Sequence, residues 1–231
     1  MNNIFGVSLG PGDPELITVK ALRVLRESDL IFYPGSIKQD GRTDSYVRPM
    51  LDSYGLAPEN LQGFYLNMNL NRSVAEETYR ETASAIVSAW SAGKKVSIVC
   101  EGDLSFYASF SYLLEKLLQL QIPLELIPGI NSFSLAAARH QIPLCLQREK
   151  LGFLPLEASM ELIEEMLHAF DTLVLMKVRI GWKHLYPRLL ESKLTCYYAE
   201  KLGTADEFIS TSLKELKGRE IPYFSLLIIK K

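Results

Sequence analysis

Short, continuously apolar runs alternate along this chain with longer segments whose apolar residues recur every three or four positions. Residues 4–9 form the first such run, closed by Gly10-Pro11-Gly12, and an apolar run bounded by turn residues fits a buried strand. Asp13 then suits a helix N-cap and Pro14 the first helical position, while Thr18, Ala21, Leu22 and Leu25 recur at helical spacing. Asp29 precedes a second apolar run over residues 30–33. This strand, turn, helix, strand unit predicts right-handed parallel packing.

The alternation continues downstream. A polar stretch over 35–44 reads as a loop, a strand is expected near Phe64, a helix over about 73–91, and a buried strand over 94–100. That strand runs into Glu101-Gly102-Asp103, followed by an amphipathic helix over 105–120 and a strand over 124–127. Pro128-Gly129-Ile130-Asn131-Ser132 comes next, and the small-residue run 134–138 starts another helix. Repeated strand-then-helix order predicts an α/β sheet with helices on its faces. Beyond about residue 145 the texture changes: 150–154, 172–176, 194–199, 207–210 and 223–229 read as strands with only two or three helices among them. Two α/β domains are therefore expected, over 1–145 and 146–231.

Composition changes this picture little. With 231 residues, 48% hydrophobic and 23% charged, the chain is that of a globular protein with a sizeable core. No apolar run approaches the roughly 18 residues of a membrane span, and the first residues carry neither a basic leader nor a long apolar stretch; a cytoplasmic protein without membrane partners is expected. Cys100, Cys145 and Cys196, like His140, His168 and His184, are scattered, which matches neither a disulfide framework nor metal-ligand spacing. No metal is expected. A formal net charge of -2 gives no global basic field of the kind nucleic-acid binding uses, so an anionic substrate must be held by a local cluster.

Three glycine-containing loops follow expected strand ends: Gly10 to Pro14, Glu101 to Asp103, and Pro128 to Ser132. In an open α/β sheet ligands sit outside the carboxyl ends of the strands, so the three could converge on one crevice; equally, Gly and Pro punctuate ordinary connections. Neither GxGxxG nor GxxxxGK[ST], the patterns that cradle phosphates, occurs. Instead Asp13, Glu101 and Asp103 occupy the loops. Carboxylates there would repel phosphate and tolerate a cation or bind ribose hydroxyls. S-adenosylmethionine, a sulfonium with no phosphate, suits such a site better than a nicotinamide dinucleotide; for Asp13, helix capping is the other reading.

The segments GVSLGPGDPELITVKALRVLRESDLIFYPG (6–35), EGDLSFYASFSYLLEKL (101–117), IPGINSFSLAAARHQIPL (127–144), VLMKV (174–178) and AEKLGTADE (199–207) resemble, in the same order, those of the tetrapyrrole methylases, the class III S-adenosylmethionine methyltransferases. Leu104 stands where that family commonly has Pro, and Asn131 where Ser or Thr is usual. The resemblance implies two α/β domains with the cofactor in the cleft between them and a homodimeric assembly. It implies a cofactor site lined by Pro11, Glu101, Gly102, Asp103, Phe106, Asn131, Ser132, Met176, Leu202 and Gly203, releasing S-adenosylhomocysteine. EGDLSFYASFSYL and the closing PYFSLLIIKK resemble the branch that methylates precorrin-2 at its C-20 meso carbon. Other ring positions, a diphthine-synthase-like activity and cofactor binding without transfer are the alternatives.

Methyl transfer to an electron-rich carbon rests on positioning, worth roughly 7–11 kcal/mol for well-aligned pairs. Asp103 and the phenol of Tyr107 are the candidate acceptors for the meso proton; Tyr107 could instead stack on a ring system. Precorrin-2 is rich in carboxylates, which guanidinium groups fork onto. The candidate anchors are Arg139, near the expected domain junction, and Lys177 and Arg179, in the stretch 176–193 that also carries Lys183, Arg188 and Lys193. A solvated helix face is the competing reading of that basic stretch.

Overall fold

In the computed structural model, residues 3–38, 40–67, 72–154 and 158–231 are described. The chain divides into two compact units, Met1–Asn131 and Ser132–Lys231.

The first unit runs β1 (Ile4–Ser8), α1 (Val19–Arg26), β2 (Leu30–Ile37), β3 (Thr43–Asp44), α2 (Arg48–Ser53), β4 (Leu61–Asn67), α3 (Arg72–Ser91), β5 (Val96–Cys100), α4 (Phe110–Gln119) and β6 (Leu124–Ile127). Its described strands form one sheet in the order β3-β2-β5-β1-β6, with β4 also paired to β2. Every pairing is parallel except that of β2 with β3. All five residues of β1 and of β5 are buried, as parallel strands covered on both faces must be. Phe5, Val7, Ile31 and Val99 pack against Ala21, Val24 and Leu25 of α1 and Met50 and Leu51 of α2. On the opposite face Ile4, Phe32, Ile98 and Cys100 meet Tyr79 and Ile86 of α3 and Phe110, Leu113 and Leu117 of α4. The expected α/β sheet with helices on both faces is present.

Several local expectations are corrected. Asp13 caps a 3-10 turn, Pro14–Leu16, by accepting the Glu15 N–H at 3.0 Å; α1 is capped instead by Thr18, whose hydroxyl accepts the Ala21 N–H at 3.1 Å. Strands β1 and β2 are parallel as expected, with β5 lying between them. The polar stretch 35–44 is only partly loop: β2 continues to Ile37 and pairs with β3 through Ser36↔Asp44 and Ile37↔Thr43. An exposed edge hairpin carries polar side chains and so hides its strand character; Gln39, within it, lies outside the described residues. The helix expected from 105 starts at Phe110, since the preceding residues are held in turns built on Asp103.

The second unit runs α5 (Ser132–Arg139), β7 (Leu151–Leu154), α6 (Met160–Ala169), β8 (Thr172–Met176), α7 (Trp182–Glu191), β9 (Thr195–Glu200), β10 (Phe208–Ser210) and β11 (Ser225–Lys230). Its described strands order as β10-β9-β11-β8-β7, with only β7 and β8 parallel. Met160, Ile163 and Leu167 of α6 and Trp182, Leu185 and Leu189 of α7 pack on Leu173, Leu175, Tyr198 and Leu227. The unit begins at Ser132, ahead of the 145/146 boundary read from the sequence, because α5 packs within it. The Phe133 ring lies 4.8 Å from that of Phe153, and His140 Nε2 is 2.9 Å from the Tyr198 carbonyl. No helix among the described residues is long and apolar enough to cross a membrane.

One charge is buried in the second sheet. Glu200, 3% exposed, accepts hydrogen bonds from the Tyr198 hydroxyl and from Nε and Nη2 of Arg219. Removing one partner of a fully buried pair costs roughly 3–5 kcal/mol, and Arg219 is partly exposed. Arg219→Ala is therefore expected to lower unfolding stability by about 2 kcal/mol in urea titration, with an unchanged m-value.

Candidate active site

Because β1 lies between β5 and β6, the three glycine loops leave the carboxyl ends of three adjacent strands. Backbone hydrogen bonds join the first two: the Gly10 N–H donates to the Gly102 carbonyl at 3.1 Å, and the Gly102 N–H to the Gly10 carbonyl at 2.7 Å. Both glycines have positive φ, +86° and +65°, a conformation that side chains disfavour. From the strand below, the buried Ser8 hydroxyl accepts the Leu104 N–H at 3.0 Å.

The third loop is attached through a carboxylate. Asp103, 5% exposed, accepts the Ser105 N–H at 2.9 Å and the Ser105 hydroxyl on Oδ1, and the Gly129 N–H at 2.7 Å on Oδ2. A Cβ on Gly129 would stand 2.5 Å from Ser8 Cβ and 2.8 Å from the Gly102 carbonyl oxygen, so only glycine lets the third loop approach the other two. An Asp accepting the N–H two residues ahead folds the chain into a turn, which is why α4 starts late. Burial pushes the Asp103 carboxyl up, but the bonds from the Ser105 hydroxyl and from the Gly129 and Ser105 N–H groups outweigh it and hold the pKa below the usual value.

The local field is negative. Burial, and after it the charges of Glu101 and Asp103, push the Cys100 thiol well above its ordinary pKa, so it is neutral at physiological pH. Three of the loops' four glycine N–H groups, those of Gly10, Gly102 and Gly129, are bonded inside the protein, on Gly102, Gly10 and Asp103, and so are not offered to a phosphate.

The other expected residues fall as follows. Pro11 is buried, and its carbonyl accepts the Tyr46 hydroxyl at 3.5 Å. Glu101, Gly102 and Phe106 are half-buried. Tyr107 has φ +52° and is 48% exposed, its ring edge-on to Phe106 at 4.7 Å; a non-glycine residue there stores about 1 kcal/mol or more of strain, a feature that clusters at functional sites. Asn131 is half-buried at the end of the first unit, and Ser132 opens α5.

In the second unit Met176 ends β8 half-buried. Lys177 has φ +55° and its ammonium lies 5.0 Å above the Tyr223 ring, while Arg179 is exposed. Leu202 is buried, and the Gly203 N–H donates to Glu207 Oε2 at 2.6 Å. Arg139, an expected carboxylate anchor, is paired through Nε with Glu207 Oε1 at 2.8 Å.

Asp103, an expected proton acceptor, has both oxygens on internal donors and a lowered pKa. Those are the properties of a clamp rather than of a base. Ser8 was absent from the expected site, and Gly10 and Gly129 entered it only as members of the loops. The available signal was a hydroxyl in an otherwise apolar buried strand, two residues before the first loop.

The model of the tetrapyrrole (corrin/porphyrin) methylases matches residues 3–217. The chain belongs to this family. Over 99% of its length this tetrapyrrole methylase is 30% identical to a cobalt-precorrin-2 C(20)-methyltransferase of Salmonella typhimurium, covering 96% of that protein. It is 28% identical to a precorrin-2 C(20)-methyltransferase of Sinorhizobium sp, covering 99% and 95% of the two chains. Among solved structures, a uroporphyrin-III C-methyltransferase from Thermus thermophilus complexed with S-adenyl homocysteine superposes with a TM-score of 0.66. It covers 100% of this chain and 98% of its own at 21% identity, which establishes the shared two-unit α/β fold.

The clamp makes the methylase's stability depend on pH. The folded pKa of Asp103 is lowered, so its contribution is fully present above the unfolded value near 3.9 and is lost as pH falls through the folded value. Asp103→Asn, which keeps one acceptor oxygen, is expected to cost about 1–3 kcal/mol at pH 7. In thermal unfolding the gap between wild type and variant should close as pH drops below about 4.

Proposed function

We propose that this tetrapyrrole methylase transfers a methyl group from S-adenosylmethionine to the C-20 meso carbon of precorrin-2, or of its cobalt complex, in cobalamin biosynthesis. The observation that carries the cofactor assignment is the loop cluster itself: the N–H groups of Gly10, Gly102 and Gly129 are bonded internally and the field of Glu101 and Asp103 is negative. Such a cluster suits a cationic, phosphate-free nucleoside and opposes a dinucleotide. The substrate assignment is supported by the names of two near-full-length relatives, one acting on the cobalt form.

S-adenosylmethionine supplies an electrophilic methyl group on a sulfonium with a neutral leaving group. The chain's own part is placement. Pro11, Glu101, Gly102, Asp103, Phe106, Asn131 and Ser132 are assigned to holding the cofactor, as are Met176, Leu202 and Gly203. Loops already fixed by their own hydrogen bonds need no ordering when the ligand arrives, which keeps binding energy for alignment. Lys177 and Arg179 are assigned to the substrate carboxylates. Tyr107 is the candidate left for handling the meso proton, its phenol exposed beside the clamped loop. A cytoplasmic homodimer completes the reading, on the strength of the family resemblance.

Incubating the purified protein with methyl-labelled cofactor and either metal-free or cobalt-loaded precorrin-2 tests this reading. The expected product gains one methyl, located at C-20 by NMR. A methyl at another ring position, or binding without transfer, would overturn the assignment. Arg179→Glu is expected to raise the tetrapyrrole KM about tenfold or more, equivalent to about 1.4 kcal/mol, while the dissociation constant of S-adenosylhomocysteine stays near that of wild type. Equal effects on both ligands would remove Arg179 from the substrate side.

A further inference from the structure

The connection between β9 and β10, residues 201–207, is held by bonds within the second unit. The Thr204 hydroxyl donates to the Lys201 carbonyl at 2.7 Å, the Glu207 N–H to the Thr204 carbonyl at 3.1 Å, and Lys201 Nζ to Asp206 Oδ2 at 3.1 Å. Lys201 and Gly203 both have positive φ, +46° and +73°, so this backbone is bent sharply at two nearby points. What fixes the Gly203 N–H is a side chain: Glu207 Oε2, at 2.6 Å.

The second oxygen of that carboxylate is held from another element. Glu207 Oε1 accepts from Nε of Arg139 at 2.8 Å, and Arg139 is the last residue of α5, which starts at Ser132 directly after the third glycine loop. The end of α5 is itself anchored next to β9: His140 Nε2 is 2.9 Å from the Tyr198 carbonyl and its ring lies 5.3 Å from that of Tyr197. A guanidinium on one oxygen of a carboxylate fixes where the other can sit, since the carboxylate is rigid and planar and charge-assisted bonds are the stronger ones.

We infer that Arg139 is a positioning residue for the cofactor: through Glu207 it sets the geometry of the Leu202-Gly203 turn, and it does not anchor a substrate carboxylate. This rests on the reading that Leu202 and Gly203 contact S-adenosylmethionine. It replaces the expected role of Arg139, whose side chain is engaged with Glu207. Residues that act through one shared contact show non-additive effects on mutation, and that gives the inference its signature.

The test is calorimetric titration of S-adenosylhomocysteine, together with tetrapyrrole KM, for wild type, Arg139→Lys, Arg139→Ala, Glu207→Gln, Glu207→Ala and the Arg139→Ala/Glu207→Ala double variant. Each alanine variant is expected to weaken S-adenosylhomocysteine binding about tenfold, and the double variant no further than the worse single one, because all three break one link. Arg139→Lys, which keeps the charge, should recover part of the loss, and tetrapyrrole KM should move less than about twofold. Three results would overturn the inference. In the first, Arg139→Ala raises tetrapyrrole KM and leaves S-adenosylhomocysteine binding intact. In the second, the two single effects add in the double variant. In the third, the variants lower the melting temperature while the folded protein binds S-adenosylhomocysteine as wild type does, which would make the pair structural only. Should an alanine variant fail to fold, Arg139→Lys and Glu207→Gln carry the same comparison. A wild-type chain that ignores S-adenosylhomocysteine would sink the cofactor reading and the inference with it, whereas unchanged affinity in the variants of a binding-competent chain sinks the inference alone.

Discussion

One carboxylate joins loops that leave two different strands. Asp103, at the end of β5, accepts the N–H of Gly129, at the end of β6, while its own loop is stitched to Gly10 at the end of β1. That bridge is possible only because the sheet order places β5, β1 and β6 side by side. It is also possible only because Gly129 carries no Cβ to strike Ser8 and the Gly102 carbonyl. Strand order, a buried hydroxyl, three glycines and one acid together produce a fixed surface at the carboxyl edge of the sheet, where open α/β folds bind their ligands.

The second unit uses the same device. Glu207 pins the N–H of Gly203 as Asp103 pins that of Gly129, and each carboxylate has a second partner, Arg139 for one and Ser105 for the other. In both places an acidic side chain on the loop satisfies a backbone donor that would otherwise be open to a ligand. The N–H groups of Gly129 and Gly203 are thus taken by the chain's own carboxylates, and the loops carry bonds that fix their shape. For a reaction that depends on holding a methyl donor and a carbon nucleophile in line, a surface shaped in advance is the main thing the protein can contribute.

Much of this was legible in the sequence, for identifiable reasons. Buried parallel strands such as 4–8 and 96–100 are written as continuous apolar runs, and glycine loops after such runs mark the ligand edge. The resemblance running through residues 6–35, 101–117 and 127–144 pointed to the family that the matched model then supplied. Side-chain roles were less legible. Asp13 read as a ligand and Asp103 as a base because an acid on a loop reads the same whether it faces a ligand or the loop's own N–H groups. The first caps a short turn and the second clamps a neighbouring loop. Arg139 likewise reads as a free cation in one dimension, since its partner Glu207 is distant along the chain. Strand β3 was missed because an edge strand with both side chains exposed has no apolar pattern to detect.

Amide hydrogen exchange of the ligand-free protein, resolved at single residues by NMR, tests most directly whether the loop cluster is built by the chain itself. The account predicts that the amides of Gly10, Gly102 and Gly129 are strongly protected without any ligand, and that adding S-adenosylhomocysteine changes their protection little. Amides that exchange as freely as those of an open loop until S-adenosylhomocysteine is added would contradict it, because the ligand and not Asp103 would then be assembling the site.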